Sequence, residues 1–295
     1  MNELNVIVFG GSGFLGSHVA DALSDRGYQV AIFDLQASPF LRADQTMIIG
    51  NILDRAQVIE AIKGFDYVYN FAGLASLDDA TTEPIKTVEL NIMGNVHIME
   101  ASVFHQVKRF VYASSIYVYS QKGGFYRCSK QASELYIEEF NRKYNLNYTV
   151  LRYGTLYGTR ADERNSIYKY LQQALLEKKL VCNNPEEMRE YIHVKDAANL
   201  SVDILDDQFN NRHIILTGHN HMKVKEMMMI IKEILNDDVE LNFSNTDNLG
   251  GDHYSYTPYS YSPKIGQKLL GNCYTDIGQG LLECLEDIDI NLKRR

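Results

Sequence analysis

Three glycines constrain this chain more than any other feature. Gly10, Gly13 and Gly16 recur every third residue inside the stretch NVIVFGGSGFLGSHVADALSDRGYQVAIFD, residues 5 to 34. Before them lies an apolar, β-branched run, Val6 to Phe9, which reads as a buried strand. After them Phe14, Leu15, Val19, Ala20 and Leu23 fall at helical spacing, and Gly27 closes that helix. A second strand, Gln29 to Phe33, ends on Asp34. Strand, glycine turn, helix, strand and acid form one unit that binds a dinucleotide. Gly10 permits the tight turn. Gly13 lets the backbone approach a pyrophosphate seated on the amides at the positive end of the helix, and Gly16 lets helix and strand pack closely. A lone glycine triplet would be weak evidence; the flanking elements give it weight.

Asp34 lies 18 residues after Gly16, close to the spacing of about 20 expected of an acid that accepts ribose hydroxyls. Its charge would repel a 2′-phosphate. Between Gly10 and Asp34 the only Arg or Lys is Arg26, too far along the helix to help. The expected cofactor is therefore NAD rather than NADP.

The rhythm of strand and helix continues through the first half. Strands are expected at Thr46 to Gly50, Tyr67 to Phe71, Arg109 to Ser115 and Tyr148 to Leu151. Helices are expected over Asp54 to Ile62, Glu83 to Gln106 and Arg127 to Tyr144. Such alternation predicts an α/β, doubly wound parallel sheet with helices on both faces and a ligand crevice at the strand C-termini. After about residue 155 loops lengthen and elements shorten. A short element is expected at Tyr191 to Val194, strands at Ile214 to Thr217 and Val239 to Phe243, and helices at Ala197 to Leu205 and Val224 to Leu235. Met227, Met228 and Met229 read as flexible core filling. Tyr254, Tyr256, Tyr259 and Tyr261 crowd one Gly/Ser/Pro-containing loop, which reads as a packed surface loop or, the favoured reading, as a lid over a nucleotide.

Bulk properties narrow the partners. A net charge of −9, with no basic block except Lys293 to Arg295, argues against nucleic acid. No apolar run approaches the roughly 18 residues of a membrane span, and the start MNELNVIVFG lacks the pattern of a signal peptide. A cytoplasmic protein with four reduced, scattered cysteines (Cys128, Cys182, Cys273, Cys284) is expected. Gly-His-Asn-His at 218 to 221 lacks carboxylate or Cys partners nearby, so no metal is expected.

Chemistry is expected past the fifth strand. It ends Ala113-Ser114-Ser115, at the crevice edge, and Tyr126 and Lys130 follow on one face of a helix. A Ser hydroxyl, a Tyr phenol and a Lys ammonium converging beside a nicotinamide make a hydride-transfer site. A free Tyr titrates near 10, too high for a base at neutral pH. Lys130 and the positive nicotinamide are expected to favour the phenolate.

With these residues in hand, the chain resembles the extended short-chain dehydrogenase/reductases, specifically the nucleotide-sugar epimerase/dehydratase group. The resemblance rests on GGSGFLG at 10 to 16, Asp34, NFAGLAS at 70 to 76 and Asn91-x-x-Gly94. It continues through ASSIYVYS at 113 to 120, YRCSK at 126 to 130, LRYGTLYGTR at 151 to 160 and REYIHVKDAA at 189 to 198. It covers nearly the whole chain. It implies a Rossmann-type sheet, with residues 1–155 as NAD-binding domain and 156–295 as a smaller, mainly nucleotide-sugar-binding α/β region, the chain interleaving between them. It also implies that Gly10, Gly13, Phe14, Leu15, Gly16, Asp34, Asn51, Ile52, Ala72, Gly73, Tyr126 and Lys130 hold NAD. Ser115, Tyr126 and Lys130 become the catalytic group. Ser115, Arg160, Arg189, Tyr254 and Tyr259 become substrate contacts, Arg189 through its fork on the pyrophosphate. Helices 83–106 and 127–144 resemble those that form a four-helix homodimer interface, with higher assembly also open.

Three departures refine the expected reaction. The Ser115–Tyr126 interval is 11 residues, much shorter than relatives carry, and the loop within it that often contacts substrate in the family is cut to Gln121-Lys122-Gly123-Gly124. Ile116 and Tyr117 stand where dehydratase relatives place Asp and Glu, which disfavours 4,6-dehydration. Gly154 and Thr155 stand where many galactose-type epimerases have Phe and Asn. The expected function is NAD-dependent oxidation of a nucleotide sugar at C4, foremost as a 4-epimerase. A net 4-dehydrogenase or ketoreductase is the alternative, and a non-catalytic NAD-binding protein a more distant one.

Overall fold

A computed structural model describes residues 4–236, 238–243, 267–269, 271 and 274–293. Thirteen strands occur in chain order among them. The first six are β1 (Asn5–Phe9), β2 (Gln29–Asp34), β3 (Gln45–Ile49), β4 (Tyr67–Asn70), β5 (Arg109–Ser115) and β6 (Tyr148–Tyr153). The rest are β7 (Thr155–Tyr157), β8 (Lys179–Cys182), β9 (Met188–His193), β10 (Arg212–Leu216), β11 (Asn220–Lys223), β12 (Glu240–Phe243) and β13 (Gln267–Lys268). The α-helices are α1 (Phe14–Asp25), α2 (Arg55–Ile62), α3 (Leu77–Thr82), α4 (Pro84–Val88), α5 (Gly94–Phe104) and α6 (Gly124–Tyr144). They continue as α7 (Ser166–Glu177), α8 (Val194–Asp203), α9 (Val224–Ile234) and α10 (Ile277–Lys293).

Eight strands make one parallel sheet in the order β13-β10-β6-β5-β4-β1-β2-β3. The chain runs outward from β1 in both directions, so the sheet switches between β1 and β4. A ligand crevice opens outside the strand C-termini at such a point. Alternation within β1 makes both cores. Val6 and Val8 pack with α1 and α8 on one face, while Ile7 and Phe9 pack with α2, α5 and α6 on the other. This is the doubly wound α/β sheet expected of the sequence. The strand expected at Ile214 to Thr217 is β10, and it joins this sheet beside β6.

A third core lies among α7, α9 and α10. It includes Ile167, Leu171, Met227, Met228, Ile231 and Leu281. Met227 and Met228 fill it, while Met229 is exposed. Two small sheets, β11-β9-β7 and β12-β8, complete this region. Among the described residues no helix is long and apolar enough to cross a membrane.

Candidate active site

The glycine turn connects β1 to α1 and is shaped by what cannot fit there. Gly10 has φ +75°, and a Cβ on it would lie 2.5 Å from the Ala72 nitrogen. A Cβ on Gly16 would stand 2.2 Å from the Gly10 carbonyl oxygen. No side chain caps α1 at Gly13, and its first turn holds no acid. Its leading amides, with Phe14 and Leu15 opening the helix, therefore suit an anion. Asp34 ends β2 beside this turn, with Ser12 N donating to its Oδ2 at 3.0 Å and Leu35 N to its Oδ1 at 2.8 Å. Each oxygen keeps a lone pair for a ribose hydroxyl. Arg26 is committed elsewhere, to Asp203 of α8. This bare cradle with its acid fits NAD.

The adenine side lies beyond β3. Asn51 Oδ1 accepts from Leu53 N at 2.9 Å, which orders the turn and leaves one lone pair. Ile52 is buried under Gly94, where a Cβ would come 2.6 Å from Ile52 Cδ1.

Ala72 and Gly73 follow β4. Asn70 Oδ1 accepts from Ala72 N, and Gly73 (φ +147°) passes so near Asn91 that a Cβ would meet its Oδ1 at 2.5 Å. Asn91 grips Leu74 at both ends, its Oδ1 accepting from N at 2.7 Å and its Nδ2 donating to O at 3.0 Å. The same Nδ2 donates to Ser129 Oγ at 2.9 Å. The helix expected as one piece over Glu83 to Gln106 contains a π-helical segment, Glu89–Met93, around Asn91. The Asn91 carbonyl there accepts from Ser133 Oγ at 2.7 Å. The wide turn thus ties the loop after β4 to α6.

Ser115 ends β5, and Tyr126 and Lys130 lie in the first two turns of α6. Ser115 and Tyr126 are joined by a side-chain hydrogen bond. Lys130 is buried; its Nζ donates to Ala113 O at 2.8 Å and lies 4.8 Å from the Tyr112 ring centroid and 5.7 Å from that of Tyr126. Burial pushes the Tyr126 phenol up to about 12, and the Ser115 bond only partly opposes it. Burial also lowers Lys130 to about 8, against the pull of Glu134. The expectation that Lys130 favours the phenolate thus meets an opposing cause, desolvation, which favours the neutral phenol.

Behind Lys130 lies a charged knot that sequence reasoning missed. Glu134 Oε1 accepts from Ser114 Oγ at 2.6 Å and from Arg152 Nε at 3.0 Å. Arg152 also donates to Tyr119 OH and lies 3.0 Å from His213 Nδ1. His213 Nε2 is 3.1 Å from Glu138 Oε1. Burial disfavours charge on Glu134, yet bonds from His213 and Arg152 bring it down to about 2. The available signal was an Arg inside an otherwise apolar strand, since an unpaired Arg is almost never fully buried.

The sequence model of the NAD dependent epimerase/dehydratase family matches residues 6–217. The chain belongs to this family. A UDP-glucose 4-epimerase from Yersinia enterocolitica is 25% identical, over 66% of this chain and 71% of the relative. Among solved structures, the UDP-N-acetylglucosamine 4-epimerase of Methanobrevibacter ruminantium M1 superposes with TM-score 0.84 at 24% identity, covering 99% of this chain and 100% of that one. The UDP-glucose 4-epimerase of Thermotoga maritima superposes with TM-score 0.80 at 23% identity, covering 98% and 100%. The cofactor of this family is NAD.

Two of the residues expected on the substrate side of this epimerase/dehydratase carry ion pairs. Arg160 (φ +64°) donates to Asp21 Oδ2 of α1 at 2.7 Å and stacks over Phe40. The residue expected to contact substrate thus ties the loop after β7 onto α1 through its charge. Arg189, on β9, is buried with NH2 2.6 Å from Glu187 Oε1. Burial raises Glu187 against that pull, so this is an interior ion pair. Tyr254 and Tyr259, with the rest of the tyrosine loop, lie outside the described residues. His221 faces a carboxylate the sequence did not reveal, Glu190 across β11–β9, at 3.5 Å. Cys128 is exposed and Cys182 and Cys284 are buried, all as free thiols.

Proposed function

We propose that this enzyme is a UDP-hexose 4-epimerase in which Tyr126 is the acid–base group. The supporting observation is the hydrogen-bonded pair Ser115–Tyr126, with the Lys130 ammonium beneath it and Ile116 and Tyr117 in place of carboxylates. NAD, when bound, takes up hydride from C4 and returns it. The rest falls to the chain's own residues. The α1 amides and Asp34 hold the dinucleotide. Ser115 hydrogen-bonds the C4 oxygen and orients it. Tyr126 removes that oxygen's proton and gives it back, a contribution of about 10²–10⁴ in rate. Lys130 offsets the charge on the phenolate. Without a carboxylate at 116 or 117, elimination of water lacks its acid and base. Arg189 is proposed to meet the sugar nucleotide's pyrophosphate.

The shortened stretch between Ser115 and Tyr126 favours one second reading, net 4-oxidation or 4-ketoreduction, because a keto sugar held less tightly escapes. Incubating the enzyme with UDP-glucose and with UDP-N-acetylglucosamine, followed by proton NMR and absorbance at the NADH band, decides between them. A 4-epimer without net NADH is expected. A keto sugar with stoichiometric NADH would establish the second reading, and undiminished turnover by Tyr126→Phe would remove Tyr126 from its role. We also propose that helices 83–106 and 127–144 form the homodimer contact.

A further inference from the structure

We infer that Tyr117 is a positioning residue for Tyr126, seated by Gly123 of the shortened loop. The inference rests on the acid–base role given to Tyr126. The two rings meet edge to face, with centroids 6.2 Å apart and planes at 83°, an arrangement that aromatic pairs favour beyond simple burial. Tyr117 lies in a short 3₁₀ turn, Ile116–Tyr119, directly after Ser115, and its amide donates to Ser115 Oγ at 3.3 Å. One residue therefore touches both members of the Ser115–Tyr126 pair.

The seat is built for that ring. Gly123 has φ +98°, and a Cβ there would lie 2.7 Å from Tyr117 Cδ1 and 3.1 Å from Arg127 Cβ. The loop carrying Gly123 is fastened to α6. Arg127 N donates to Gly123 O at 2.9 Å, Arg127 NH1 to Ser120 O at 3.2 Å, and Gln131 Nε2 to Val118 O at 2.8 Å. With so few residues between Ser115 and Tyr126, a longer loop cannot reach over the phenol. The Tyr117 ring supplies the wall, keeping the Tyr126 ring turned toward Ser115 and shielded from water. The polar and charged groups that face the phenol are Ser115 and the Tyr112 hydroxyl from β5, and Lys130 from α6.

The test reads Tyr126 directly, without substrate. Protein labelled with ¹³C at tyrosine Cζ is titrated by NMR, and the Tyr126 signal is assigned by its loss in Tyr126→Phe. In Tyr117→Ala the phenol is expected to titrate nearer the ordinary tyrosine value of about 10, because water reaches it. Tyr117→Phe, which keeps the ring, should leave the titration where it was. Gly123→Ala should mimic Tyr117→Ala, and adding it to Tyr117→Ala should move Tyr126 no further. In turnover, on the pH plateau of kcat where ionisation of Tyr126 no longer differs, Tyr117→Ala should lower kcat about tenfold at unchanged KM, the scale of a lost aromatic pair, with recovery in Tyr117→Phe. An identical Tyr126 titration in wild type and Tyr117→Ala overturns the inference whether or not the protein epimerises sugars. Absence of epimerisation with the titration shifted as expected would instead sink only the reaction assigned above.

Discussion

At Tyr126 and Lys130 one physical cause acts on two groups with opposite sign. Burial disfavours charge, so the phenol rises to about 12 and the ammonium falls to about 8. Left alone the pair would be neutral above pH 8. Attraction opposes this: an ammonium about 6 Å from a phenolate gains about 3 kcal/mol at an effective dielectric of about 20. Lys130→Met removes that gain. The rise of kcat with pH, which follows deprotonation of Tyr126, should then shift upward by about 1–2 pH units, with kcat at neutral pH down about 100-fold. In wild type the attraction fades as pH climbs through about 8, so the rise should flatten there. A kcat–pH profile checks both. If Lys130→Met keeps the wild-type profile, Lys130 serves only as the donor to Ala113 O. The spacing of Tyr126 and Lys130 was legible in the sequence because four residues make one helical turn. Their shifted ionisation was not, because it depends on Tyr112 and Glu134, which the fold brings in.

Among the elements, the helix around Asn91 best separates what local pattern can tell from what it cannot. Apolar spacing reads 83–106 as one helix, because a single π turn widens the backbone without ending the helix. What opens that turn is a tertiary demand, the bonds from Asn91 to Leu74, Ser129 and Ser133. Asn91→Ala should leave the Leu74 amide and carbonyl unpaired in the interior, at a cost of about 1–3 kcal/mol each. A loss of about 2–5 kcal/mol in urea denaturation and weaker NAD binding by calorimetry are expected; unchanged NAD affinity would confine Asn91 to the scaffold. Two helices of the smaller region escaped sequence reading for related reasons. The first turn of α7 is Ser-Ile-Tyr-Lys, whose Ile and Tyr favour strands, yet packing with α9 and α10 wins. The first turn of α10 carries Gly278 and Gly280, poor helix formers. Gly280 is nonetheless needed, because a Cβ there would lie 2.8 Å from the Tyr157 ring.

For the molecule as a whole, alternation predicted the parallel sheet, but not that β10 would lie beside β6, since strand adjacency is set by packing between distant segments. Alternation also leaves open what the outer helices face. The helical stretch 84–104 buries Ile98, Met99 and Ala101 in the core and leaves Ile85, Val88, Met93 and Phe104 exposed, Ile85 by 75% and Phe104 by 71%. Met93 and Phe104 are eleven residues apart, three helical turns, so they share one face. On α6, Phe125 and Tyr136 have the same spacing and are likewise exposed, with Leu135 and Tyr144 near them. These two helical stretches pack side by side. Uncovered apolar residues in such number mark an interaction surface, and a two-fold contact would set each stripe against its own copy. A stable dimer needs roughly 800 Å² from each partner. Phe104→Glu places a charge at the C-terminal end of that apolar face while altering nothing in the monomer's core. Wild type should sediment as a dimer at micromolar concentration. The variant should dissociate at least about 100-fold more readily, close to 2.7 kcal/mol, and its melting temperature at a concentration where both are monomeric should be unchanged. Equal sedimentation of the two proteins would exclude helices 83–106 and 127–144 as the contact.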